Sequence, residues 1–355
     1  MSRFFSEQFA SLTPYTPGEQ PRDQQYVKLN TNESPFPPSP GVLQAVAEES
    51  ARLNLYCDPE CTLLRHAAAE LYGVKPENVL PVNGSDEALY VTFLAFGDKK
   101  HPFAYPEISY GFYPVFARLT QVLAREIPLK LDFTVDVKDY LGISEHIVIA
   151  NPNAPTGVCL SVGEIERIVC ANPGRLVVID EAYIDFGGES CVPLVPRYDN
   201  LLVIQTFSKS RSLAGARLGF AVGNAELIRD LNTIKYSINP YNVNRMTQAA
   251  GVAAIQDGAY YAANAQTIIR TRERTARALE QLGFTVLPSK ANFLFASSAA
   301  VDGETLYREL KARGVLVRHF TKPLIQNYCR ITIGTDEQMD IMLDRIQAIL
   351  DEKGR

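Results

Sequence analysis

No stretch of this 355-residue chain approaches the ~20 consecutive apolar residues that a membrane-spanning helix needs. Its opening, Met-Ser-Arg-Phe-Phe-Ser-Glu-Gln-Phe-Ala-Ser-Leu, has neither the unbroken apolar core nor the cleavage site of a secretory signal. Histidine is scarce: there are four, none in a nucleophile motif, so a hydrolase-type triad is not expected. Glycine-rich dinucleotide and Walker signatures are missing as well. Basic excess is lacking, with a net charge of −5 and an isoelectric point near 5.6, which argues against a nucleic-acid or membrane-surface role. The six cysteines (57, 61, 159, 170, 191 and 329) are scattered and read as reduced, mostly buried thiols. Cys57 and Cys61 with His66 could suggest a metal site, but nothing nearby completes it, so no metal is expected. These absences leave a cytoplasmic enzyme, long enough to bury a large core.

What is present is a regular alternation. Apolar runs near 79–82, 102–105, 122–127, 146–150, 176–180, 201–207 and 218–223 are separated by helical stretches. Strands that are apolar throughout, with helices between them, imply a mostly parallel α/β sheet of seven strands covered on both faces. Residues 1–40 are proline-rich and irregular, and read as an arm with part of a smaller domain. Residues 41–240 then form the large domain and 241–355 a small α+β domain. Helical periodicity resumes over 225–236, and a long linking helix is expected over about 259–282. In that helix Arg270, Arg272, Arg274 and Arg277 read as a solvated face, partly balanced by Glu273 and Glu280, with Glu273 and Arg277 at helical pair spacing. From about 284 the pattern is strand, strand, helix, strand, strand, helix. There is no internal repeat and no low-complexity segment.

Two of these strands deliver chemistry at their carboxyl ends, where open α/β sheets place ligands. The run Leu201-Leu202-Val203-Ile204 leads into Thr206-Phe207-Ser208-Lys209, and Arg217 follows just before the next strand. A lysine among hydroxyls and an arginine suits imine formation with a phosphorylated carbonyl cofactor, namely pyridoxal 5′-phosphate. The run Leu176-Val177-Val178-Ile179 delivers Asp180-Glu181-Ala182-Tyr183. A carboxylate beside a pyridine nitrogen favours the protonated ring, which is the electron sink such chemistry requires. Asp180 fits that task, and Tyr183 can donate to the ring's phenolic oxygen. A Ser-Lys-x-Arg loop alone is usually a solvated turn, and an acid after a strand is often only a cap. The two together, 29 residues apart and each closing a strand, carry the reading.

With those residues in place the chain resembles the fold-type I aminotransferases of class II, and among them the histidinol-phosphate branch. The resemblance spans nearly the whole length. Its motifs are Leu12-Thr13-Pro14-Tyr15, Leu29-Asn30-Thr31-Asn32-Glu33-Ser34-Pro35, Asn83-Gly84-Ser85-Asp86-Glu87, Asn151-Pro152-Asn153-Ala154-Pro155-Thr156-Gly157, Asp180-Glu181-Ala182-Tyr183, the lysine segment, and Arg330-Ile331-Thr332-Ile333-Gly334. Physically, Asn83 to Glu87 reads as a strand, a glycine turn and a helix opened by capping residues, whose free amides suit a phosphate. The resemblance implies that Gly84, Ser85 and Asp86 bind the cofactor phosphate together with Thr206, Ser208 and Arg217. It implies that Tyr110 stacks on the pyridine ring and that Tyr56 reaches the phosphate in the partner subunit of a homodimer with shared sites. Cys57 stands where the family usually has proline.

The larger departure is Ala154, where most relatives have an asparagine that donates to the ring's phenolic oxygen. An alanine side chain cannot donate, so either Asn153 supplies the contact or Tyr183 acts alone; Asn153 is the favoured candidate. Toward the substrate, the resemblance assigns contacts to Tyr15, Asn32, Arg318 and Arg330. The implied reaction passes an amino group from L-histidinol phosphate to 2-oxoglutarate, with Lys209 as anchor and proton carrier. An aromatic amino-acid aminotransferase shares every cofactor motif, and a phosphothreonine decarboxylase has the same fold. A pyridoxal-sensing regulator would carry a DNA-binding domain and a less acidic chain.

Overall fold

The computed structural model describes residues 2–353. The amino-terminal segment is irregular up to the two-residue strand β1 (Val27–Lys28). Helices α1 (Pro40–Ser50) and α2 (Thr62–Tyr72) follow, then β2 (Val79–Val82), α3 (Ser85–Phe96), β3 (Phe103–Pro106), α4 (Tyr113–Leu119) and β4 (Ala124–Ile127). Next come β5 (His146–Ala150), α5 (Val162–Ala171), β6 (Val177–Asp180), β7 (Leu201–Thr206) and β8 (Gly219–Gly223). The chain then runs through α6 (Ala225–Ile238), α7 (Arg245–Gln256) and α8 (Gly258–Gln281). It ends with β9 (Phe284–Val286), β10 (Phe293–Ser298), α9 (Gly303–Ala312), β11 (Val315–Leu316), β12 (Arg318–His319), β13 (Tyr328–Thr332) and α10 (Asp336–Lys353).

Seven strands form one sheet in the order β2-β8-β7-β6-β5-β3-β4. Only β8 runs against its neighbours, so the expected mostly parallel sheet is what the chain builds. Every residue of β5, β6 and β7 is buried, because helices cover both faces. Alternate side chains divide the core in two. Ile147, Ile149, Val177, Ile179 and Val203 pack with α2, α5 and α7 on one face. Val148, Val178, Leu202 and Ile204 pack with α3, α4 and α6 on the other. The first of these cores continues past residue 240, taking in Val243, Ala250, Ala254 and Tyr261.

A four-stranded antiparallel sheet, ordered β12-β13-β10-β9, has its own core. Phe293, Leu294 and Ile331 meet Leu306 and Leu310 of α9 and Met339, Met342 and Ile346 of α10. The third strand expected in this region is split in two: β11 pairs in parallel with β1, and β12 pairs with β13. Leu29, just past β1, joins the same core, so the amino-terminal arm is tied to residues near the other end of the chain. Several helices start on side-chain caps that satisfy their first amides. Ser161 and Glu164 form a reciprocal capping box on α5, while Asn244 and Asp302 cap α7 and α9.

Helix α8 departs from its reading as a solvated arginine face at one position: Arg270 and Arg277 are exposed, but Arg272 is buried. Arg272 is 2% exposed and donates to the carbonyls of Phe186 (2.8 Å) and Ala291 (2.9 Å). Glu273 accepts from Arg272 at 2.8 Å, so its partner is that neighbour. Helical spacing placed Glu273 near Arg277, but a buried guanidinium with two carbonyls to satisfy determines where the carboxylate turns. Arg274 does stay at the surface, paired with Asp336 and Asp340. Replacing Arg272 by methionine leaves those two buried carbonyls unpaired. Denaturant unfolding should register a loss of about 3 kcal/mol; a change under about 0.5 kcal/mol would show that α8 tolerates the loss.

Candidate active site

Strands β5, β6 and β7 run side by side, with Ala150, Asp180 and Ile204 in register at their carboxyl ends. This edge floors a cavity of about 300 Å³. The loop after β7 places Ser208 and Lys209 at its wall, and Asp180 and Tyr183 line it from the neighbouring strand. Residues 30–33 of the arm and Arg318 and Arg330 of the four-stranded sheet close the opposite side.

Asp180 is 3% exposed and has no cation partner among the described residues. Burial pushes its carboxyl up to about 6, opposed by the Tyr113 hydroxyl, which donates to Oδ2 at 2.9 Å. The Ala182 amide donates to Oδ1 at 3.2 Å. Lys209 Nζ lies 3.3 Å from the carbonyl oxygen of Thr31. Burial, reinforced by the Arg330 charge, lowers its ammonium to about 8, so a useful fraction is the nucleophilic neutral amine near neutrality. Burial also holds the Tyr183 hydroxyl above its ordinary value, so it remains a donor.

A second cluster gathers at the start of α3. Gly84, in the left-handed region at φ 76°, precedes the helix, and no side chain caps it. Capping was the expectation, but Asp86 is turned away: its carboxylate accepts from Tyr110 at 2.8 Å and from Arg217 at 3.2 Å. Glu87 reaches back to the Asn83 amide at 2.5 Å. A Cβ on Gly84 would sit 2.5 Å from Arg217 Nη2, so glycine keeps the guanidinium close to the helix start. Arg217 also lies 3.4 Å from Ser208 Oγ, itself 3.0 Å from Thr206 Oγ1. Uncapped amides, a guanidinium and a serine hydroxyl make a cradle for an anion.

Across the cavity, Arg318 and Arg330 are direct partners in the β12–β13 register. Like charges placed opposite each other on one sheet repel. Arg330 donates to the Asn30 carbonyl at 3.0 Å, and its buried Nε has no partner. Arg318 donates to the carbonyls of Thr16 (3.0 Å) and Pro17 (3.1 Å), holding the arm. Tyr15 beside them stacks on Phe112 at 4.2 Å and faces Tyr110 at 6.2 Å.

Residues 24–346 match the family described as aminotransferase class I and II. The histidinol-phosphate aminotransferase of Brachyspira hyodysenteriae is 50% identical over 99% of both chains. Histidinol-phosphate aminotransferase 1 of Bradyrhizobium diazoefficiens is 49% identical over 99% of this chain and 100% of its own. The crystal structure of the histidinol-phosphate aminotransferase from Sinorhizobium meliloti in complex with pyridoxal-5′-phosphate shares the fold with a TM-score of 0.90, at 22% identity over 99% of both chains. The chain belongs to the class I and II aminotransferases.

In this aminotransferase the structure gathers most of the residues picked out by sequence around one cavity: Tyr15, Asn32, Ser85, Asp86, Tyr110, Asp180, Tyr183, Thr206, Ser208, Lys209, Arg217, Arg318 and Arg330. Two lie elsewhere. Asn153, favoured to replace the donor missing at Ala154, is turned out of the cavity and needs correction. Its amide donates to the Ile108 carbonyl (2.9 Å) and to Thr156 Oγ1 (3.0 Å), and its oxygen accepts from Ser109. Both hydrogens are committed to folding the turn, while Ala154 presents a methyl to the cavity. Tyr56 is 79% exposed, stacks on Tyr241 at 4.5 Å, and is not part of the cavity wall in a single chain.

Some contributors escaped sequence reading. Tyr113 holds Asp180, yet nothing local distinguishes it from the other 16 tyrosines. Thr31 and Thr332 sit inside recognised motifs, but their partners, Lys209 and Asn32, lie 178 and 300 residues away along the chain. Among the described residues no group of three or more His, Cys, Asp or Glu is placed to hold a metal, and no helix is long and apolar enough to cross a membrane.

Two outcomes follow for this aminotransferase. Gly84→Ala should keep the fold but weaken pyridoxal phosphate binding at least about tenfold by displacing Arg217, measured by fluorescence titration; unchanged affinity would mean the cradle is elsewhere. The Lys209 amine becomes reactive as pH rises through its pKa. Labelling of the cofactor-free protein by an amine-directed reagent should therefore be half-maximal near pH 8 at this position, read by peptide mass spectrometry. A half-maximum at about pH 10 or above would contradict its partly buried setting beside Arg330.

Proposed function

We propose that this aminotransferase uses pyridoxal 5′-phosphate to pass the amino group of L-histidinol phosphate to 2-oxoglutarate, giving imidazole acetol phosphate and L-glutamate in histidine biosynthesis. The observation that carries the cofactor reading is a fit of charges at one cavity. Asp180 is a buried carboxylate without a cation partner among the described residues. Arg217, although paired with Asp86, gathers with Ser208 and the uncapped start of α3 as a set of donors suited to a phosphate. A ring with a protonatable nitrogen at one end and a phosphate at the other answers both. When bound, the cofactor supplies the carbonyl that takes the amino group and the electron sink for the substrate carbanion.

The roles of the side chains follow from their places. Arg217, Ser208, Thr206 and the Gly84–Asp86 turn hold the phosphate, and Tyr110 covers the ring. Asp180 keeps a proton on the ring nitrogen, and the Tyr183 hydroxyl donates to the ring oxygen. Lys209 Nζ anchors the cofactor, then takes the proton from the substrate α-carbon. Arg330, with the charge of Arg318 beside it, receives the substrate anion. Two adjacent guanidiniums match a phosphate dianion better than a single carboxylate, which favours histidinol phosphate over an aromatic amino acid. Tyr15 and Phe320 close the apolar wall around the imidazole.

We further propose a cytoplasmic homodimer in which Tyr56 completes the cavity of a second copy. Leu53, Leu55, Tyr56 and Leu63 form an exposed apolar region without cover in one chain. The domain division into 1–40, 41–240 and 241–355 belongs to the same reading, except that Val243 to Tyr261 pack into the core of the large domain. Lys209 comes from the large domain and the arginine pair from the small one.

A half-reaction tests the substrate. Loss of the cofactor's visible band on adding L-histidinol phosphate, with L-phenylalanine much slower, is the expected result; equal conversion by phenylalanine would make the enzyme an aromatic or broad-range transaminase. Lys209→Ala should lower turnover by at least about 10²–10⁴-fold while retaining cofactor, and full activity would remove Lys209 from the mechanism. Mixing Lys209→Ala with Tyr56→Ala subunits should restore one intact site per dimer. If the mixture has only the summed activity of its components, the sites are not shared.

A further inference from the structure

The donor missing at Ala154 raises the question of how a single remaining hydroxyl is kept aimed at the cofactor. The answer begins outside the cavity, at Thr332. Its Oγ1 accepts the backbone N–H of Asn32 at 3.0 Å. Its own hydrogen then goes to the other neighbour within reach, Asn32 Oδ1, at 2.9 Å. Those two contacts orient the Asn32 amide with oxygen toward Thr332 and nitrogen toward Tyr183. Asn32 Nδ2 accordingly donates to the Tyr183 hydroxyl oxygen at 2.9 Å.

A phenol carries one hydrogen. With Asn32 as its donor, the Tyr183 hydroxyl has its own hydrogen left over, and no described residue accepts it. Asn32 and Thr332 are 1% and 3% exposed, so water does not compete for these bonds. Asn32 is further fixed by its backbone: φ is 56°, a region asparagine tolerates, and its carbonyl accepts from Asn292 Nδ2 at 3.1 Å. Its side chain therefore serves Tyr183, although sequence reading assigned it to the substrate.

We infer that Thr332 and Asn32 form a positioning relay that turns the Tyr183 hydroxyl hydrogen into the cavity, making Tyr183 the donor to the cofactor's ring oxygen where Ala154 offers none. This rests on the cofactor reading above. Its consequence is specific. A donor to the ring oxygen stabilises the oxygen's anionic form, so removing or misdirecting that donor makes the bound cofactor more basic. The pH midpoint of the holoenzyme's visible absorbance change should then rise.

The test is a spectral pH titration of the cofactor-loaded protein, without substrate, on four single variants. Asn32→Gly removes the amide but tolerates the positive φ, and Thr332→Val removes the hydroxyl that orients it. Tyr183→Phe deletes the donor, and Thr332→Ser keeps the orienting hydroxyl. The expected result is a rise of about one to two pH units in the first three and none in Thr332→Ser. The Asn32→Gly/Tyr183→Phe double variant should move no further than Tyr183→Phe alone. Wild-type midpoints in Asn32→Gly and Thr332→Val, with a shifted Tyr183→Phe, would overturn the relay. An unshifted Tyr183→Phe would instead remove Tyr183 as the ring-oxygen donor, and the cofactor reading of that residue would fail first. If Asn32→Gly cannot hold cofactor, the Thr332→Val and Thr332→Ser pair decides the matter.

Discussion

The cavity is organised by charges that the protein does not neutralise on its own. Lys209, Arg217, Arg318 and Arg330 converge on it with Asp86, Asp180 and Glu33. Asp86 is paired with Arg217 and Glu33 with Lys28, but Asp180 meets only a phenol and an amide, and the two remaining arginines meet backbone carbonyls. Partly desolvated charges of this kind are costly unless something answers them. On the reading proposed above, a protonated ring nitrogen answers Asp180 and a substrate anion answers the two adjacent arginines. The same imbalance tunes the amine of Lys209, since burial and Arg330 make its charged form less favourable.

The fold makes such a gathering possible by bringing distant segments to one edge. The parallel sheet presents Asp180 and the Lys209 loop from adjacent strands, where hydrogen-bond register sets their spacing. The opposite wall is built from the two ends of the chain. Asn32 meets Thr332 across 300 residues, Arg330 meets Asn30 across the same span, and Lys209 meets Thr31 across 178. The β1–β11 pairing and the shared core around Leu29 hold that wall in place. The cavity is consequently sensitive to contacts far from any reacting atom.

Departures from local expectation have a common cause. Arg272 was placed on a solvated face by its neighbours in sequence, yet the Phe186 and Ala291 carbonyls draw it inward. Asn153 was the nearest amide to the missing donor, yet the turn it sits in takes both of its hydrogens. Asn83 to Glu87 was read as a helix start opened by capping residues, yet the N-cap is Gly84 and the Asp86 carboxylate is held by Tyr110 and Arg217. In each case a polar group went where its hydrogen bonds could be completed.

The sequence by itself determined the seven strands of the large sheet, the helices between them and the residues at their carboxyl ends. Those follow from periodicity and from short motifs in which neighbours along the chain are neighbours in space. It also determined the aminotransferase character, because Asp180, Lys209 and Arg217 need only strand ends to reach one edge. Tertiary structure alone decided that Tyr113 supports Asp180, that Arg318 holds the arm, and that Asn32 addresses Tyr183 through Thr332. Their sequence spacing says nothing about their spatial spacing, and a side chain's hydrogens are assigned only once every competing acceptor around it is in place.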